Sequence, residues 1–194
     1  MPGLRVIAGA AKGRKLKMPS GEGTRPVMDR VKEAIFSILG EDVAQAAFLD
    51  LFAGSGSVGI EALSRGAARA TFVESDAGAV RTIQANLTTT GFSAQAHVVR
   101  SDVFIFLRNE PREGFHFAYV APPQYHHLWV ETLNILDARP AWINPDGLVI
   151  VQIDPREFTE HPLRHFSLVD RRKYGNTLVC FYERTAPVPA PPNP

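Results

Sequence analysis

The stretch from Phe48 to Ser75, FLDLFAGSGSVGIEALSRGAARATFVES, restricts the fold of this chain more than any other. An apolar run, Phe48 to Phe52, is interrupted by one acid, Asp50. A glycine-rich turn follows, with Gly54, Gly56 and Gly59. Val58 to Ser64 has helical character, and a second apolar run, Ala70 to Val73, ends at Glu74. The order predicts a strand, a turn, a helix and a strand, with an acid at the tip of each strand. The glycines permit a sharp turn and close approach of the backbone to a ligand. The helix N-terminus offers N–H groups that lack an intrahelical partner. Glu74 stands where an acid grips the two hydroxyls of a ribose.

The spacing of Gly54, Gly56 and Gly59 also fits the dinucleotide fingerprint, so two ligands compete for it. A nicotinamide dinucleotide would lay its pyrophosphate on the helix N-terminus. A carboxylate at Asp50 would repel that phosphate. A ligand with a cationic amino group and a ribose but no phosphate, such as S-adenosylmethionine, would welcome it. The electrostatics of Asp50, rather than the glycines, favour the methyl donor. The bland alternative is that Asp50 is a solvated loop acid.

The remaining pattern alternates strands and helices. Leu4 to Ala8 is a short strand candidate, and the basic segment after it, punctuated by Gly9 and Gly13, predicts a small β-hairpin or extended arm. Ser20 to Gly23 is a polar loop. Asp29 or a neighbour opens a helix with Val31, Ala34, Ile35, Ile38 and Leu39 at helical spacing, and Gly40 ends it. Further helices are predicted over Ala77 to Thr90 and His127 to Ala138. Further strands are predicted over Ala96 to Val99, Phe115 to Val120, Leu148 to Ile153, His165 to Arg171 and Thr177 to Glu183. The last two are joined by a KYGN turn. The expected architecture is a doubly wound α/β sheet of mainly parallel strands closed by an antiparallel hairpin. Asp50, Glu74, Asp102 and Ala121 would then meet outside the carboxyl ends of the strands, where such sheets bind ligands. Asp102 can accept a hydrogen bond from an adenine amino group, and helix capping is compatible with that. The tail TAPVPAPPNP, residues 185–194, has no periodicity and is expected to be disordered.

Charge divides the chain. The first 32 residues hold eight Lys or Arg and two acids, whereas the remainder holds thirteen and eighteen. A basic arm on an acidic body implies that one end grips a polyanion; an ordinary charged surface is the alternative. The single cysteine, Cys180, rules out an internal disulfide and a cysteine-based metal cluster. The histidines lack metal-ligand spacing, and no metal is expected. Ser55 in AGSGS lacks the glycine spacing of a nucleophile elbow. No apolar run would span a bilayer and no signal peptide is evident, so a cytoplasmic protein is expected.

These segments support a family resemblance. The chain resembles the bacterial 16S ribosomal RNA guanine-N2 methyltransferases of the RsmD family. The resemblance runs from RVIAGAAKGRKLKMP through TRPVMDRVKEAIFSIL and DLFAGSGSVGIEALSRGA to RRKYGNTLVCFYER. It implies a Rossmann-like class I S-adenosylmethionine-dependent methyltransferase with a seven-stranded sheet and a small N-terminal basic β extension. The division is a basic RNA-binding arm at 1–23, a methyltransferase domain at 24–184 and the tail. It implies assembled or partly assembled 30S particles as substrate, and a monomer is expected. Carried over, Asp50, Phe52, Gly54 and Gly56 form the methionine-side pocket with Ser55. Glu74 with Ser75 holds the ribose, Asp102 with Val103 the adenine edge, and Thr24 and Arg25 help cover the donor. Arg5, Lys12, Arg14, Lys15, Lys17 and Arg30 are the expected RNA contacts.

The loop Ala121, Pro122, Pro123, Gln124, Tyr125 is the expected catalytic loop. Enzymes that methylate exocyclic amino groups carry Asp or Asn, then Pro-Pro, then an aromatic. The acid or amide accepts a hydrogen bond from the amino group, and the aromatic stacks on the flipped base. Here Ala121 replaces the acceptor and Gln124 separates the prolines from Tyr125. Three outcomes stay open: guanine N2 methylation with the Ala121 and Pro122 carbonyls as acceptors, chemistry on another atom or base, or an RNA-binding assembly factor that has lost catalysis.

Overall fold

The computed structural model describes residues 4–19 and 28–185. The polar loop at 20–23, Thr24, Arg25 and the tail beyond Thr185 lie outside the described residues.

Seven strands form one sheet: β1 (Ala47–Leu51), β2 (Arg69–Glu74), β3 (Ala96–Arg100), β4 (Phe115–Val120), β5 (Ile143–Ile153), β6 (Phe166–Tyr174) and β7 (Thr177–Arg184). Their order is β3-β2-β1-β4-β5-β7-β6. β1 to β5 run parallel, while β7 lies antiparallel to both β5 and β6. The helices are α1 (Asp29–Leu39), α2 (Ser57–Ser64), α3 (Ala77–Thr90), α4 (Val103–Leu107) and α5 (Leu128–Ala138). One hydrophobic layer joins α1, α2 and α3 to one face of the sheet through Ile35, Phe36, Ile60 and Ile83. A second joins α4 and α5 to the other face through Val103, Leu107, Trp129 and Leu133. Every residue of β1 is buried, which is why this strand reads as a near-continuous apolar run.

Local chemistry sets the ends of the elements. Asp76 caps α3 through the Ala79 N–H at 2.7 Å, and Gly91 closes it in a left-handed conformation. Tyr174 pairs with Thr177, so Gly175 and Asn176 form a two-residue hairpin loop. The sequence pattern puts a turn at Asn144 to Gly147. Instead β5 continues through it, with a register shift against β4 and a positive φ at Asp146.

The N-terminal segment forms a single β-bridge, Arg5 to Lys15, rather than a regular strand. Further backbone hydrogen bonds pair Leu4, Val6, Gly13, Arg14 and Leu16. Leu4, Val6, Ala11 and Leu16 are buried in the α1–α3 layer, while Lys12, Arg14, Lys15 and Lys17 are exposed. A buried polar cluster fastens the segment. Glu61 accepts from the Ile7 and Ala8 N–H groups at 2.8 and 3.0 Å and from the Arg65 Nε at 2.9 Å. Lys32 Nζ donates to the Arg5 carbonyl at 2.7 Å and lies 3.6 Å from Glu61. Gly9 has φ +80, and a Cβ there would fall 1.8 Å from the Ser64 carbonyl oxygen. The segment therefore lies directly against α2.

Candidate active site

The strand order reverses between β1 and β4, and a cavity of about 620 Å³ opens at the carboxyl ends of these strands. This is the topological switch point where open α/β sheets take their ligands, and the volume lies within the range of small-molecule pockets. The wall from β1, the glycine turn and β2 supplies Asp50, Phe52, Gly54, Ser55, Glu74 and Ser75. The wall from β4 and β5 supplies Tyr119, Ala121, Pro122, Pro123, Gln124 and Gln152. Met18 and Pro19 form part of the rim. Asn86, on α3, places them there. Its side chain accepts from the Lys17 N–H at 2.7 Å and donates to the Lys17 and Ser55 carbonyls at 3.0 and 2.9 Å. One buried amide thus ties the basic segment to the glycine turn.

Asp50 is 1% exposed, so it is a buried acid in a strand, not a solvated loop acid. Its Oδ2 accepts from the Gly59 N–H at 2.9 Å. Burial pushes its carboxyl up to about 8; the Gly59 hydrogen bond opposes this and the nearby Glu74 adds to it. Gly59 is small because α2 crosses close to the strand: a Cβ there would meet Phe72 at 2.4 Å and Asp50 at 3.2 Å. Glu74 accepts from the Gly54 N–H and from the Asp76 N–H, each at 2.9 Å, which fixes both the turn and the carboxylate. Gly54 has φ +55 and open space where a Cβ would stand; a side chain there would be strained and would fill the cavity.

Among the described residues the lining contains two carboxylates and no Lys, Arg or His. A pyrophosphate would meet the Glu74 carboxylate and no balancing side-chain cation. A ligand with a cationic group near Asp50 and hydroxyls near Glu74 meets complementary groups, and a bound cation would lower the cost of ionising Asp50.

Several expected contacts lie elsewhere. Gly56 is beside the cavity as the left-handed N-cap of α2 but does not line it. Asp102 caps α4, accepting from the Phe104 and Ile105 N–H groups at 2.8 and 3.1 Å. Val103 is buried in the α4–α5 layer. Tyr125 does not line the cavity. It has φ +68, its hydroxyl donates to Asp154 at 2.9 Å and accepts from Arg156 at 2.5 Å, and the Arg156 guanidinium lies 5.4 Å from its ring centre. Arg156 also holds the Asp154 carboxyl below the usual range. Of the expected RNA contacts, Arg5 is paired with Asp29 at 3.0 Å and Arg14 donates to the Thr89 carbonyl at 3.2 Å. Lys12, Lys15, Lys17 and Arg30 are exposed.

Tyr119 and Gln152 were not anticipated. The buried Tyr119 hydroxyl donates to Gln152 Oε1 at 2.7 Å, and burial followed by the charge of Asp50 holds the phenol well above its usual range. A polar residue inside an apolar strand, LVIVQI, is the signal that could have found Gln152. Among the described residues no group of three or more potential metal ligands occurs, and no helix is long and apolar enough to cross a membrane.

Comparison with known proteins adds to this geometry. The family model described as conserved hypothetical protein 95 matches residues 4–183. The Escherichia coli (strain K12) ribosomal RNA small subunit methyltransferase D is 34% identical over 183 residues, covering 94% of this chain and 91% of that protein. The solved structure of the hypothetical protein TTHA0928 from Thermus thermophilus superposes with a TM-score of 0.78 at 33% identity, covering 91% of this chain and 97% of that one. An RNA methyltransferase from Salinibacter ruber in complex with S-adenosyl-L-homocysteine superposes with a TM-score of 0.66 at 15% identity, covering 88% and 100%. This last likeness concerns the fold alone, which is that of the class I methyltransferases.

Proposed function

The chain belongs to the conserved hypothetical protein 95 family, that of ribosomal RNA small subunit methyltransferase D, and from that membership we propose that it methylates guanine N2 of 16S ribosomal RNA in the 30S subunit, using S-adenosylmethionine. The observation that carries the reading is the cavity itself: a pocket at the switch point lined by Asp50 and Glu74 and, among the described residues, by no Lys, Arg or His, with a Pro-Pro loop on its far wall. The same lining counts against a dinucleotide oxidoreductase.

When bound, the donor supplies an electrophilic methyl on a sulfonium and leaves as a neutral thioether. Asp50 receives the cationic amino group and is ionised by it. Glu74, already oriented by the Gly54 and Asp76 N–H groups, receives the ribose hydroxyls. Phe52, Gly54, Ser55 and Ser75 complete the donor wall. Gly56 shapes the turn, and Asp102 with Val103 stands at the adenine end through α4. Thr24 and Arg25, which lie outside the described residues, are the residues expected to help cover the donor. On the other wall Pro122 and Pro123 hold the loop rigid, because their rings fix φ, and they end the sheet ladder, because neither has an N–H to donate. Tyr125 ends this loop but is tied to Asp154 and Arg156 rather than facing the cavity. The arm at 1–23 carries the phosphate contacts, the catalytic domain spans 24–184, and the protein acts as a monomer in the cytoplasm.

Ala121 favours a second reading, an RNA-binding ribosome-assembly factor that retains the fold without the chemistry. Labelled methyl transfer from S-adenosylmethionine to 30S subunits from cells lacking this protein separates the two. The first reading predicts label in the 16S RNA. Binding of S-adenosylhomocysteine and RNA with no label transferred would support the second.

A further inference from the structure

The family pattern places an Asp or Asn at the position of Ala121, and a methyl side chain cannot accept a hydrogen bond. The remaining polar side chains of the cavity divide by wall. Asp50, Ser55, Ser57, Glu74 and Ser75 belong to the β1–β2 wall and the glycine turn, the donor's side. Beside the Pro-Pro loop stand Tyr119, Gln124 and Gln152.

The register brings Gln152 next to the missing acceptor. β4 and β5 pair in parallel with Tyr119 opposite Ile150 and Val120 opposite Val151, so Ala121 and Gln152 continue the two strands side by side. Alternation along each strand puts Tyr119, Ala121 and Gln152 on one face. It is the face of Asp50, since Asp50 pairs with Tyr119 and both Tyr119 and Ile150 belong to the α1–α3 layer. Adjacent strands are about 4.8 Å apart, a gap that a glutamine side chain can span. Gln152 is also preorganised. The Tyr119 hydroxyl fixes its Oε1 at 2.7 Å, and the buried phenol stays protonated and remains a donor. A carbonyl oxygen has two lone pairs, so Oε1 can accept a second hydrogen bond. Gln124 lies on the loop, and no comparable partner orients its amide among the described residues.

We propose that Gln152 Oε1, oriented by Tyr119, accepts the hydrogen bond from the exocyclic amino group of the target base and so replaces the acceptor lost at position 121. Gln152 is then a catalytic residue and Tyr119 a positioning residue. The inference rests on the methyltransferase reading above. The amino nitrogen's lone pair forms the N–CH3 bond as the C–S bond breaks, with that pair kept by sulfur. The surplus N–H proton passes to solvent. Gln152 gains no charge; it holds the amino group so that its lone pair points at the methyl rather than into the ring.

The test uses the full chain and 30S subunits lacking the modification. Gln152→Met keeps the side-chain length and removes the acceptor. It should lower kcat about 100- to 1000-fold, as loss of one preorganised polar contact does, with KM raised no more than the roughly 2- to 10-fold of one ground-state hydrogen bond and S-adenosylhomocysteine affinity unchanged. Gln152→Glu should restore activity, and Ala121→Asp should rescue Gln152→Met. Tyr119→Phe should lower kcat with KM unchanged. A donor-free readout uses an RNA fragment carrying the mapped target guanosine. Inosine, which lacks the amino group, should bind the unmodified protein about 2- to 10-fold more weakly, the range of one hydrogen bond, and should bind Gln152→Met no worse than guanosine does. A wild-type kcat in Gln152→Met, or a kcat loss on Gln124→Met in its place, would overturn the assignment while leaving the methyltransferase reading standing. Absence of transfer by the unmodified protein would overturn both.

Discussion

With its carboxyl pushed up to about 8, Asp50 carries a proton at pH 7 in the ligand-free protein. Binding a cationic donor should therefore release close to one proton at pH 7, and affinity should rise as pH approaches 8. Calorimetry in buffers of different ionisation enthalpy would measure this, and Asp50→Asn should abolish the proton release and weaken binding. The stability dependence has the opposite sense. Between about 4 and about 8 the folded chain holds a proton that the unfolded chain has lost, so Asp50 makes stability fall as pH rises through that window. Denaturant titrations of Asp50→Asn should show a flatter profile there. Asp50 is legible in the sequence because an acid interrupts an apolar run. Gln152 gives the same kind of signal in LVIVQI, a weaker one because an amide is uncharged, and Tyr119 reads as one more aromatic core residue. The hydrogen bond between them becomes visible only when β4 and β5 are side by side.

At the scale of elements, the glycine turn, α2 and the Pro-Pro loop follow the sequence closely, because glycine and proline dictate their own backbone geometry. The N-terminal segment does not. Its exposed cations are legible, but its attachment is not, because Glu61 in IEALSR and Lys32 in RVKEA resemble surface charges on amphipathic helices. Both are fully buried, and burial pushes the Lys32 ammonium below its usual range against the pull of Glu61. Removing one partner leaves an uncompensated charge, so Glu61→Gln should cost about 3–5 kcal/mol and lower the melting temperature. It should also open residues 4–17 to protease before the sheet unfolds. Gly9→Ala should destabilise the same attachment, since its Cβ would collide with Ser64. An unchanged melting temperature for both variants would contradict the docked arrangement.

On the scale of the whole molecule, the sheet order puts the donor wall and the loop wall on either side of one crevice, and Asn86 brings the basic segment to its rim. In the proposed function the arm takes the polyanion and the cavity the chemistry. Replacing Lys12, Arg14 and Lys15 by Ala should weaken RNA binding and reduce the slope of log affinity against log salt by up to about 2, while S-adenosylhomocysteine affinity stays constant. An unaltered slope would place the grip elsewhere. The measurement that most directly tests the proposed function is the identity of the product: 30S subunits lacking the modification are treated with the protein and S-adenosylmethionine, the 16S RNA is digested to nucleosides, and the products are identified by mass and chromatography. N2-methylguanosine is the expected new nucleoside. A different methylated nucleoside, or none while donor and RNA remain bound, would contradict the proposed function.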